Sequence, residues 1–107
     1  MNVWALDKDL SIKHLLLLLE SEFDPNSYNI DIDTPTDPCA IFLSHNEEPA
    51  MRAYIFTLGQ NAEKYGVHLE FPMQYQPVSL MESYENLSFK ALADILEVHL
   101  DFRLIAP

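Results

Sequence analysis

Cys39 and His45 are the residues closest to a catalytic pair, because a cysteine attacks only after a base such as imidazole has taken its proton. Cys39, however, opens the apolar run Cys39-Ala-Ile-Phe-Leu43, where cysteine serves as a small core residue, and no third group is placed to orient the histidine. Metal chemistry would draw on His14, His45, His68 and His99, with His68 and Glu70 sharing one face of an alternating segment. Their spacing matches neither a His-Glu-x-x-His helix nor paired Cys-x-x-Cys ligands. Asp31, Asp33 and Asp37 have carboxylates spaced much as in a calcium loop, but the glycine for its sharp turn and the distal bidentate glutamate are missing. Gly59 and Gly66 are the only glycines, which excludes phosphate-cradling and dinucleotide motifs. The expectation is a non-enzymatic chain with no catalytic residue, no metal and no cofactor.

What remains is charge. Among 107 residues, Asp and Glu number 17 against 6 Lys plus Arg, a formal net charge of -11 with neutral histidines. Such a field repels nucleic-acid phosphates and anionic lipid, and it attracts and steers basic surfaces. Lys8, Lys13, Arg52, Lys64, Lys90 and Arg103 are scattered and form no basic patch, so direct nucleic-acid or membrane binding is not expected. A composition 49% hydrophobic and 11% aromatic belongs to a folded chain, and the length suits a single acidic domain, 1–107. One cysteine allows no internal disulfide, the first residues read as no secretory signal, and the longest apolar run is Leu15 to Leu19; the expected compartment is the cytoplasm.

The elements that carry these residues follow from periodicity. Ile12, Leu15, Leu16, Leu19 and Phe23 repeat at the helical period after a cap at Ser11, and Asp24-Pro25 ends that helix. Tyr28 to Asp33 alternates, placing Tyr28, Ile30 and Ile32 on one face and Asn29, Asp31 and Asp33 on the other. With the run 39–43 it forms an expected hairpin. Met51, Tyr54, Ile55, Leu58, Ala62 and Tyr65 hold a helical period that opens at Glu47, Glu48 and Pro49 and closes at Gly66. Val67-His-Leu-Glu-Phe71 alternates as a strand, residues 72–86 read as an irregular loop, and Leu87-Ser88 caps a helix to about residue 101. Residues 96–104 fit helix and strand templates equally. The expected fold is α/β: a small three-stranded mixed sheet, made of a hairpin plus one parallel crossover, packed by about three helices.

On that frame the partner-binding candidates are Asp31, Asp33 and Asp37 at the hairpin, Glu47 and Glu48 at the helix start, and Tyr75, Glu82, Tyr84 and Glu85 in the loop. Carboxylates steer a basic protein while tyrosines supply buried contact. In size, charge and lack of catalytic motifs the chain resembles bacterial immunity proteins that neutralise cationic toxins, including nuclease toxins of contact-dependent inhibition systems. That resemblance implies an inhibitor covering the basic active-site cleft of a cognate toxin, and it carries over no site residues. The competing readings are a nucleic-acid mimic or anti-defence protein, a small ligand-binding domain or enzyme, and an oligomeric adaptor.

Overall fold

A computed structural model describes residues 2–72 and 82–105. After a 3-10 turn at Val3–Ala5 comes helix α1, Leu10–Glu22. Its cap is Asp9, two residues earlier than the expected Ser11: the Asp9 carboxylate accepts the Ser11 amide at 3.0 Å and the Ser11 hydroxyl at 2.6 Å. These bonds hold the Asp9 carboxyl below its ordinary range. The stripe Ile12, Leu15, Leu16 and Leu19, continued by Phe23, is buried as its spacing requires. Asp24 and Pro25 stop the helix and start a second 3-10 turn, Pro25–Ser27, capped by the Asp24 side chain.

Five strands follow: β1 Tyr28–Asp31, β2 Ala40–His45, β3 Arg52–Phe56, β4 Tyr65–Glu70 and β5 Glu82–Leu87. They form one antiparallel meander in the order β1-β2-β3-β4-β5. Helix α2, Phe89–His99, closes the fold, with Ser88 accepting the Ala91 amide at 3.1 Å as its cap.

The expected three-stranded mixed sheet with a parallel crossover and about three helices is therefore corrected to a five-stranded antiparallel sheet with two helices. The expected hairpin forms, its ladder pairing Ile30 with Leu43 and Asp31 with Phe42. Its first strand ends at Asp31 and not Asp33, so Ile32, expected on the face of Tyr28 and Ile30, lies exposed in the loop. The helix expected from Glu47 to Tyr65 does not form. Residues 52–56 are strand, with Ala53 and Ile55 buried and Arg52, Tyr54 and Phe56 half-buried on the other side. Aromatic residues on the outward positions hide the apolar-polar alternation, and Tyr54, Ile55 and Leu58 then fit a helical period by coincidence. Gly59, at φ 77, turns the chain between β3 and β4. Gly66 ends no helix; it lies within β4 beneath the Phe56 ring, where an added Cβ would meet Phe56 Cζ at 2.2 Å. The expected loop 72–86 includes β5, whose residues are exposed on both faces and so show no alternation.

One buried cluster joins the helices to the sheet. Ile41 and Leu43 of β2, Ala53 and Ile55 of β3, and Tyr65, Val67 and Leu69 of β4 meet Leu15, Leu16 and Leu19 of α1 and Leu92 and Leu96 of α2. Both helices thus cover the same sheet face. After α2 the chain extends back beside the end of α1: the Asp24 amide donates to the Arg103 carbonyl at 2.7 Å and the Ile105 amide to the Glu22 carbonyl at 3.1 Å. Phe102 stacks on Tyr28, centroids 4.1 Å apart, and meets Phe23 edge-on. Of the two templates that overlap in 96–104, the helix holds through His99; beyond it Asp101 turns the chain at φ 55, and no strand forms apart from an isolated bridge between Leu104 and Phe23. No helix among the described residues is long and apolar enough to cross a membrane.

Candidate functional site

The sheet face opposite the helices is where unexplained chemistry collects. Side chains alternate along each strand, so the register places Phe42 of β2, Tyr54 of β3 and His68 of β4 in one row across this outer face. Asp31 of β1 extends the row on one side and Ser83 of β5 on the other. Phe56 stands two residues along from Tyr54, between Ala40 and Gly66. The rings touch: Phe42 and Tyr54 at 5.0 Å between centroids, Tyr54 and Phe56 at 5.9 Å, Phe56 and His68 at 5.0 Å. Cross-strand aromatic pairs such as Phe42–Tyr54 and Phe56–His68 stabilise a sheet by about 0.2–1 kcal/mol each. All four residues are nevertheless only half-buried, because neither helix lies over them.

Arg52 completes the cluster. Its Cζ lies 4.1 Å from the Phe42 ring centroid, and its Nε and Nη2 donate to Glu70 Oε1 at 2.9 and 2.7 Å. A planar guanidinium suits both contacts at once, stacking by its face and bonding by its edge. It is the one ion pair among the described residues. Beside Phe56 the face dips into a hollow of about 220 Å³ with Asp37 and Leu58 at its rim.

The structure separates the expected partner-binding residues that it describes into four places. Asp31 ends β1 opposite Phe42, and Asp33 and Asp37 follow in the β1–β2 loop, Asp37 at the hollow; two of the three also hold that loop. Asp31 accepts the amides of Asp33 and Thr34, at 3.0 and 3.1 Å, and the Thr34 hydroxyl, which together hold its carboxyl below the ordinary range. Asp37 Oδ1 accepts the Cys39 amide at 2.8 Å. Asp33 is exposed. Glu47 and Glu48 sit in the β2–β3 turn at the far end of β2, roughly 20 Å away for a strand of this length. They open no helix; their amides donate to His45 Nδ1 at 3.0 and 3.2 Å.

Glu82 and Tyr84 pair with Leu69 and Val67, which places them on the helix-covered side. There they line a groove of about 610 Å³ between β4–β5 and α2, with Phe71, Ile95 and Val98. Glu85 faces the β3–β4 turn, accepting from Gln60 Nε2 at 3.5 Å. Tyr75 lies outside the described residues.

Among the described residues no three of His, Cys, Asp and Glu come together as a metal site. Cys39 precedes β2 and His45 ends it, so a strand's length separates them and His45 cannot act as base for that thiol. The aromatic row is hidden in the sequence, where Tyr54 fits a helical stripe and Phe42 belongs to a continuous apolar run with no alternation. The available signal was Arg52-Ala-Tyr-Ile-Phe56, whose β-branched and aromatic residues favour strand.

No protein-family model, no curated protein and no solved structure matches the chain.

Proposed function

We propose that the protein is a non-catalytic inhibitor that docks on a basic protein through the outer face of its sheet, in the manner of an immunity protein covering the cationic cleft of a toxin. The observation that carries this reading is the uncovered cluster Phe42, Tyr54, Phe56 and His68, bordered by Asp31, Asp33 and Asp37. An aromatic centre with a charged rim is the arrangement in which a few residues supply most of the binding energy while the rim steers association. The net charge of -11 sets the sign of the partner. In a basic protein the same aromatic face would stack nucleic-acid bases, but here three carboxylates and the overall field oppose a polyphosphate.

The test is affinity capture from the native host with the wild-type chain, Tyr54→Ala and Asp33→Lys. Asp33 is the carboxylate to change because it holds no turn, whereas reversing Asp31 would also break the loop bonds described above. A basic protein retained by wild type should be lost with Tyr54→Ala, and with Asp33→Lys it should elute at lower salt. Equal retention by all three forms would refute the reading.

A further inference from the structure

Within that face, and resting on the reading just given, we infer that the hollow bounded by Asp37, Tyr54, Phe56, Leu58 and His68 is a receptor for one arginine side chain of the partner. The hollow, about 220 Å³, is lined by Ala40 beside the Phe56 ring, which lies over Gly66. Its walls are the rings of Tyr54 and Phe56, 5.9 Å apart and inclined by 32°, with the His68 ring edge-on to Phe56. Leu58, 67% exposed, stands as an apolar lip suited to the methylene stem of a long cationic side chain. Asp37 supplies the charge. Its Oδ1 is engaged by the Cys39 amide, while the nearby Lys8 ammonium donates to the Asp37 main-chain carbonyl and the Thr36 hydroxyl and forms no ion pair with the carboxylate.

The choice of arginine comes from the same cluster. Two residues before Tyr54 on the same face, Arg52 holds its Cζ 4.1 Å from the Phe42 ring centroid and donates to Glu70, so the outer face already contains an arginine held between an aromatic ring and a carboxylate. Tyr54 or Phe56 with Asp37 offers the same two elements with the cation missing. A guanidinium satisfies both, stacking on the ring and donating to the carboxylate, whereas an ammonium lacks the flat face.

The test titrates the full chain with acetyl-Gly-Arg-Gly-amide and its lysine and citrulline counterparts, followed by NMR. The arginine peptide should shift the ring signals of Tyr54, Phe56 and His68. The uncharged citrulline peptide should bind several-fold more weakly, and lysine should fall between. Asp37→Asn keeps the acceptor for the Cys39 amide and removes only the charge, so the fold is retained while arginine affinity falls about 2–5-fold, the range of an exposed ion pair. Equal binding of arginine and citrulline, shifts that map away from the hollow, or no effect of Asp37→Asn would overturn the inference. Failure here is separable from failure of the wider reading: a partner lost with Tyr54→Ala, while the arginine peptide binds wild type and Asp37→Asn equally, sinks the arginine receptor and leaves the docking face standing.

Discussion

Gly66→Ala probes the architecture that creates the aromatic face. The new Cβ would stand 2.2 Å from Phe56 Cζ and 2.3 Å from Cε2, where ordinary contact begins at 3.4 Å, so the ring must move by about 1.2 Å, the difference of 3.4 and 2.2. Overpacking of this kind costs about 1–3 kcal/mol. Against it, alanine is better than glycine inside a strand by about 0.5–1 kcal/mol. The expected net loss is therefore about 0–2.5 kcal/mol, measured by urea unfolding followed by circular dichroism. Removing the ring first reverses the sign: in a Phe56→Ala background Gly66→Ala should stabilise by about 0.5–1 kcal/mol, because only the backbone effect remains. The double-mutant cycle then yields a coupling of at least about 1 kcal/mol, outside the scatter of about 0.5 kcal/mol for independent sites. A helix ending at Gly66 with φ above zero would make the substitution unfavourable in both backgrounds and the coupling nil. That outcome would refute the strand register and the outer face built on it.

Two further expectations concern pH. Burial, with Glu20 and Asp24 nearby, pushes the Tyr28 phenol up to about 12, and an unfolded tyrosine ionises near 10. A raised folded value means its contribution is complete below pH 10 and is lost as pH rises from about 10 to about 12. Tyr28→Phe, which keeps the stack on Phe102, should leave neutral-pH stability close to wild type and flatten that alkaline decline in thermal melts; an unchanged decline would contradict the assignment. Asp31 has the opposite sign: its lowered carboxyl favours folding above the ordinary carboxylate value of about 3.9 and loses that contribution as pH falls through the folded value. Carboxyl NMR should find Asp31 titrating below the ordinary range, and Thr34→Ala should move it upward by removing the hydroxyl bond; no movement would mean the bond has little influence.

The two helices were legible because each carries its apolar stripe within its own segment, one capped by Ser88 before Leu92 and Leu96 and the other stopped by Asp24-Pro25 after Leu19. The α1 cap is Asp9 and not Ser11, and no stop residue marks the end of α2 at His99. Strands β1, β2 and β4 were legible from the alternation of Tyr28 and Ile30, the apolar run after Cys39, and Val67 with Leu69. β3 and β5 escaped for opposite reasons, β3 because its outward residues are aromatic and β5 because both its faces are exposed. Losing β3 to a helix cost the site as well, since Arg52, Tyr54 and Phe56 are its outward positions. The acidity was legible, but its division of labour was not. Asp9, Asp24, Asp31 and Asp37 each hold a turn or cap through a backbone amide, a role that depends on loop conformation and not on composition.

The most direct test of the docking face is photo-crosslinking from two positions on opposite sides of the sheet. Benzoylphenylalanine replaces Tyr54 in one chain and Val98, 87% exposed on α2, in another, and each is irradiated in extract of the native host. The expected result is a covalent adduct with one basic protein from position 54, suppressed by excess wild-type chain, and none with that protein from position 98. An adduct from position 98 alone, or none from either, would contradict the assignment of the outer sheet face as the binding surface.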